Sequence, residues 1–242
     1  MRAILTYHAI DDLASPISLP PVDFARHVAW FASGAVRVVG IEELLTLPDE
    51  ADAVAITFDD ALTSVASDAA PRLAEHGLPA TLFVVSDHVG GDNQWGGPRP
   101  GRAHRPVLDW TAIAALQAGG WTIGSHTRRH PHLPACNDAL LEDELAASAE
   151  LLGTRLGQRP ALLAYPYGDC DARVITATAA HYRVAVGTEH RLLRADESPH
   201  HLPRLDAWYF RGANPFAEWG TAAFRRRVAV RHALRRLRRM GR

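Results

Sequence analysis

Short apolar runs alternate along the chain with longer stretches whose apolar residues recur at helical spacing. The runs at residues 3–7, 36–39, 53–58, 80–85, 121–124, 161–164 and 182–186 predict buried strands. Helical spacing predicts helices over 24–32 behind an Asp23 cap, 41–47, and 64–76 up to Gly77. A further helix follows the Asp109 cap as far as Ala118, where Gly119-Gly120 ends it. Helices over 138–156, 172–180 and 215–240 complete the set, and residues 90–105, rich in Gly, Pro and Arg, read as a loop. Strand-then-helix alternation implies parallel strands joined by crossover helices. No repeat of solenoid length is present, and no Gly-rich fingerprint follows the first strand, which removes support for a dinucleotide fold. The expected organisation is one α/β unit over residues 1–214, followed by a basic amphipathic helix over 215–242.

Polar clusters stand directly after four of the predicted strands. They are Tyr7-His8, Asp59-Asp60, Ser125-His126 with His130, and Tyr165-Pro166-Tyr167-Gly168-Asp169. In a parallel α/β barrel all strand C-termini open on one face, so these four distant segments are expected to converge. Adjacent carboxylates at a strand end project to different sides. They suit a division of labour in which one binds a cation and the other stays free as a base; a helix N-cap plus a turn is the plainer reading. His126 and His130, four apart, face the same way if the backbone turns helically, although surface histidines would show the same spacing. With one aspartate they make a His2Asp set, which leaves coordination positions open for water and a substrate oxygen. His132 reads as a surface or supporting residue, too close to His130 for a third ligand.

Composition narrows the chemistry. All 26 basic residues among the 242 are arginine, so lysine-based Schiff-base and P-loop chemistry is excluded. Cys136 and Cys170 are too few for a cysteine zinc site or a disulfide framework. The net charge of −1 conceals an asymmetry: residues 225–242 hold nine arginines and no acid, which leaves about −10 on residues 1–224. No apolar run reaches signal-peptide or membrane-span length, and the reading places the protein in the cytoplasm, peripheral to the inner membrane face if its basic helix binds lipid.

Thr57-Phe58-Asp59-Asp60, then Ser125-His126-Thr127-Arg128-Arg129-His130-Pro131, then Ala164-Tyr165-Pro166-Tyr167-Gly168 resemble the motifs of the NodB-like polysaccharide deacetylases, carbohydrate esterase family four. The resemblance spans roughly residues 3–206. It implies a distorted (β/α) barrel of the NodB-homology type and metal-dependent removal of N-acetyl groups from amino sugars. It assigns Asp60, His126 and His130 to a divalent metal, zinc first, with cobalt, nickel or iron as alternatives. Asp59 becomes the general base, His8 the acid for the leaving amine, and the backbone N–H of Tyr167 the oxyanion donor. Tyr165, Pro166 and Trp208 are expected at the substrate, with Tyr209 as a second stacking ring and Asn93 and Trp95 in a loop wall.

The sequence departs from the family pattern twice. Many members carry an arginine where Ala164 stands, holding the catalytic aspartate; Arg204 is the candidate replacement, or else a surface residue. The Leu-x-His motif usual near the family's C-terminus is not found there, and Leu5-Thr6-Tyr7-His8 opens the chain instead. That order is similar to the circularly permuted branch of poly-N-acetylglucosamine deacetylases.

Two other functions remain open on the same residues. One is hydrolysis of a non-sugar amide; the other is a catalytically silent sugar-binding protein. In the basic helix, Phe216, Trp219, Ala223, Val230, Leu234 and Leu237 fall near one face, and arginines cover much of the rest. Packing on the barrel, an anionic membrane surface, and a nucleic acid or other partner are the three readings; the acidic body makes nucleic acid the weakest.

Overall fold

The computed structural model describes residues 1–95, 97 and 103–240. Residues 96 and 98–102 of the predicted loop, and 241–242 of the predicted basic helix, lie outside the described residues. The strands are β1 (Arg2–Tyr7), β2 (Ala9–Ile10), β3 (Ser18–Leu19), β4 (Arg37–Val38), β5 (Ala53–Phe58), β6 (Thr81–Val84), β7 (Thr122–Ser125), β8 (Leu162–Ala164), β9 (Val184–Val186) and β10 (Leu205–Asp206). The α-helices are α1 (Pro21–Ala32), α2 (Ile41–Thr46), α3 (Ala70–Ala74), α4 (Trp110–Ala118), α5 (Asp138–Glu142), α6 (Ser148–Leu156), α7 (Ala172–His181) and α8 (Ala222–Met240).

The main sheet runs β10-β1-β5-β6-β7-β8-β9, with β4 beside the first half of β5, and every pairing in it is parallel. Leu202 pairs with Val186, and Leu205 pairs with Leu5, so the short stretch from 202 to 206 joins the two ends of the curled sheet. The distorted (β/α) barrel expected from the sequence is therefore the observed fold. β1 and β5 are buried along their whole length, which is why they read as continuous apolar runs rather than alternating ones.

Register fixes the site. Tyr7 stands opposite Phe58 and Val84 opposite Ser125, so His8, Asp59 and His126 leave their strands at one level. The Asp59 N–H donates to Tyr7 O at 2.9 Å and the His126 N–H to Val84 O at 2.8 Å, extending the ladder one residue into the site.

Several boundaries differ from expectation. Helix α1 starts at Pro21, whose fixed φ suits the first helical turn, and Asp23 sits inside that turn instead of capping it. Asp23 pairs with Arg26 at 2.7 Å and accepts the Gly212 N–H at 3.0 Å. The helix expected over 64–76 begins with a π-turn at Val65–Ala69, and the one over 138–156 is split by a π-turn at Asp143–Ala147. The last helix begins at Ala222, not Pro215, because Phe216 leaves the helical path to stack among Trp30, Phe31 and Phe210. Phe216, Phe224 and Val228 belong to the main core with Phe24 and Phe58, so the basic helix packs on the body through its first half. The side chains of Arg238 and Arg239 are not among those described.

Candidate active site

Five non-glycine residues at the mouth of the barrel have left-handed backbone: Asp60 (φ 72°), Ala61 (φ 51°), Thr127 (φ 67°), His130 (φ 62°) and Tyr167 (φ 60°). Such conformations cost about 1–3 kcal/mol each and persist only where the surroundings impose them. At residues 126–130 the helical turn expected for the two histidines is absent. A kinked loop presents them, held by the Ser125 hydroxyl accepting from Thr127 N–H at 3.0 Å and the Thr127 hydroxyl accepting from His130 N–H at 3.1 Å.

The loop brings both imidazoles to Asp60. His126 Nε2 lies 3.5 Å and His130 Nε2 3.7 Å from Asp60 Oδ1, and all three ligand atoms fall within 4.8 Å of one another. Donors around one ion at about 2.1 Å stand roughly 3–3.5 Å apart, so this buried trio has the size and donor chemistry of a divalent metal site. His126 Nδ1 lies 2.7 Å from Ala164 O, which holds a proton on that nitrogen and turns Nε2 to the metal position. The Trp95 ring is buried and stacks on His130 at 4.9 Å, so Trp95 backs a member of this trio rather than forming the expected substrate wall. Asn93 is likewise buried, its side chain spent on Ala103 O and the Arg105 N–H.

Asp59 has a different environment from its neighbour. The Arg204 guanidinium grips both its oxygens, Nη1 to Oδ1 at 2.6 Å and Nη2 to Oδ2 at 2.7 Å. Arg204 is itself 0% exposed, and it also donates to Gly187 O at 2.8 Å and Thr57 Oγ1 at 3.1 Å. Burial pushes the Asp59 carboxyl up, but the charge and hydrogen bonds of Arg204, with smaller contributions from His126 and His8, hold it well below the usual carboxylate range. His8 Nε2 stands 3.8 Å from Asp59 Oδ2, on the open side of the pair. One carboxylate thus faces two imidazoles and the other faces a guanidinium.

A family model for polysaccharide deacetylases matches residues 47–185, which hold the Asp59-Asp60, His126/His130 and Tyr165–Gly168 segments. The chain belongs to the polysaccharide deacetylase family. It is 26% identical over 208 residues to the YxkH protein of Bacillus subtilis, assigned to the polysaccharide deacetylases, covering 84% of this chain and 70% of that one. It is 22% identical over 205 residues to the poly-beta-1,6-N-acetyl-D-glucosamine N-deacetylase of Staphylococcus aureus, covering 78% of this chain and 67% of the relative. Among solved structures, Streptococcus pyogenes deacetylase PplD in complex with acetate superposes with a TM-score of 0.73 at 22% identity, over 84% of this chain and 91% of that one. IcaB from Ammonifex degensii does so with 0.73 at 22%, over 86% and 93%. At these identities the two structures establish a shared fold.

Not every residue expected at the substrate of this polysaccharide deacetylase family member reaches the mouth. Tyr165 continues the alternation of β8 and points with Leu163 into the core, where its hydroxyl donates to His200 O at 2.8 Å. Pro166 is buried as well. Tyr167 does face the site, its ring edge-on to His130 at 4.5 Å and stacked on His132 at 4.0 Å. His132 is in turn paired with Asp169 at 2.7 Å. Trp208 lines a small pocket with Thr6, His8, Ser18 and Leu19, while the Arg211 guanidinium covers its ring at 4.1 Å. Tyr209 turns away, its ring under Arg231 at 4.6 Å and Arg235 at 5.5 Å.

Glu144 is the site residue the sequence reading missed. It lies in the π-turn and is 1% exposed. Its Oε2 accepts the N–H groups of Arg128 at 2.9 Å and Arg129 at 2.8 Å, and Oε1 accepts Arg129 Nη1 at 3.1 Å. It therefore pins the loop between the two histidines of the candidate metal trio. Insertion of one residue per turn in a π-turn is common at functional sites. Glu144→Ala leaves both amides without that acceptor and is expected to weaken metal binding by about 10–100-fold, the usual effect of losing a support to a ligand. Glu144→Gln, which keeps one acceptor oxygen, should fall between. Competition with a chromogenic chelator measures both; unchanged affinity in the alanine variant would contradict this role.

Proposed function

We propose that this chain removes N-acetyl groups from an amino sugar of a saccharide and releases acetate, with a divalent metal held by Asp60, His126 and His130. The observation that carries the reading is the split between adjacent aspartates: Asp60 is shared by two imidazoles, whereas Asp59 is clamped by Arg204. A divalent cation there supplies Lewis acidity, which acidifies adjacent water and polarises an acyl carbonyl. Zinc fits a His2Asp set, and cobalt, nickel and iron share those donors.

Asp59 stays ionised across the neutral range because Arg204, His126 and His8 together outweigh its burial. A carboxylate held so low is a weak base, suited to take a proton that is already acidified, and Arg204 keeps both its oxygens aimed. His8 stands beside it as the group to protonate the departing nitrogen, which leaves poorly as an anion. Tyr167 has left-handed backbone and its ring stands against His130, and we assign its N–H to the developing oxyanion. Trp208 lines the pocket beside His8, and we assign the face of its ring not covered by Arg211 to a sugar. The silent sugar-binding reading rested on the arginine missing at position 164, and Arg204 supplies an equivalent clamp from the segment that closes the barrel.

The test is acetate release from N-acetylglucosamine oligomers compared with simple alkyl acetamides at equal concentration. The oligomers are expected to lose acetyl groups by mass spectrometry and the alkyl amides to react at least about tenfold more slowly, since remote sugar contacts contribute to the transition state. Equal rates would favour a non-sugar amide as the substrate.

A further inference from the structure

Helix α8 has two apolar faces. Phe224 and Val228 are buried in the main core. Val230, Leu234 and Leu237 are 55%, 45% and 64% exposed and recur at i, i+4 and i+7, so they line a second face. At 100° per residue this outer stripe lies roughly 130° around the helix from the buried one. Val230, Leu234 and Leu237, expected on one face with Phe216, lie apart from it: Phe216 packs inward and the other three stay outside.

The outer stripe is set in positive charge. Arg226, Arg227 and Arg231 line a shallow groove with Ala223, Val230 and Leu234, and Glu218 is the one acid beside it. The helix itself has no acidic residue. Its inner side is anchored at the mouth of the barrel. Arg235 bonds Asp206 Oδ2 at 3.1 Å and Thr188 O at 3.3 Å, the last residue of β10 and a residue two past the end of β9.

We propose that the outer face of α8 docks on an anionic lipid bilayer. The helix lies in the plane of the surface, Val230, Leu234 and Leu237 enter the boundary between headgroups and acyl chains, and the flanking arginines meet lipid phosphates. Among the described residues no helix is long and apolar enough to cross a membrane, so α8 rests on the surface. Charge complementarity alone would serve a nucleic acid equally well; three large exposed apolar side chains in line have no use against a phosphate backbone and do have one against a bilayer. Docking holds the barrel mouth beside the surface, where a saccharide on a lipid anchor would be within reach.

The test is flotation of the full chain with phosphatidylglycerol–phosphatidylcholine vesicles, against phosphatidylcholine alone. The chain is expected to float with the anionic vesicles, less so as salt rises, and to stay down with the neutral ones. The V230S/L234S/L237S variant changes exposed positions only, so its thermal melt and its acetate release from soluble oligomers should match the parent. Its partition onto anionic vesicles should drop at least about tenfold. No flotation of the parent would overturn the proposal. So would undiminished flotation of the variant, particularly if it shifts a short DNA duplex as the parent does, since binding would then need charge only. The flotation results and the thermal melt do not depend on the deacetylase chemistry, so their failure is distinct from failure of that reading.

Discussion

Asp59→Asn is expected to lower kcat by about 10³-fold or more, near the upper part of what a general base contributes, while the metal content of the protein stays that of the parent. The side chains are nearly isosteric, and Asp60, His126 and His130, the candidate metal trio, are untouched. What the amide lacks is a basic oxygen and a negative charge. The second loss has its own consequence, because Arg204 is then fully buried with no anion opposite it. Removing one partner of a buried pair costs about 3–5 kcal/mol when the other charge is left uncompensated. The variant should therefore be less stable as well as inactive. Steady-state kinetics, metal analysis and a denaturant titration on one preparation separate the effects. Near-parental kcat would refute the assignment of Asp59 as base; lost metal would mean that the two aspartates do not divide their work as described.

Arg204→Met is expected to be the second most damaging change, through a different route. It removes the cation that keeps the Asp59 carboxyl low, and burial, the largest influence on that group, then pushes it up. The sign of the linkage reverses. In the parent, a carboxyl held low adds stability above its ordinary range and loses it as pH falls through the folded value. In the variant, a carboxyl held high favours the protonated form, so stability is lost as pH rises. The acid limb of the rate profile should move to higher pH by at least about one unit, which corresponds to about 1.4 kcal/mol. Stability at neutral pH should fall by about 3–5 kcal/mol. Arg204→Lys keeps the charge but not the two-pronged grip, and should restore the position of the limb more than it restores kcat. An unmoved acid limb in Arg204→Met would show that the arginine only fills space.

The sequence made the scaffold legible because fully buried parallel strands leave unbroken apolar runs, as β1 and β5 do. It made the candidate metal trio legible because its members come from segments that follow such runs directly. Finer features depend on forces that leave weaker traces. The start of α1 was misplaced because Pro21 preorganises the first turn better than a side-chain cap at Asp23. The backbone kinks at Asp60, Thr127 and His130 fall on non-glycine residues with no glycine beside them to announce them; at Thr127 and His130, hydroxyls of Ser125 and Thr127 accept the kinked N–H groups. Glu144 resembles any helical surface carboxylate until its phase is noted. It falls between Leu141, Leu145 and Ser148, all of them buried, so a charge on the inward face of α5–α6 was the available signal. Arg204 could be nominated from the gap at Ala164, but its fourfold grip depends on the segment 202–206 returning between β9 and β1, a closure too short to read as a strand. Tyr165, expected at the substrate, lies in the core because one more residue of strand alternation turns it inward.

The central claim is that one divalent ion on Asp60, His126 and His130 makes this site a deacetylase. The direct measurement is acetate release from N-acetylglucosamine oligomers by chelator-treated protein as zinc is added back stepwise. The account predicts no release at zero metal, a linear rise, and a break at about one equivalent, with His126→Ala flat throughout because a site stripped to two ligands no longer holds the ion. Full activity in the metal-free protein, or in His126→Ala, would contradict it.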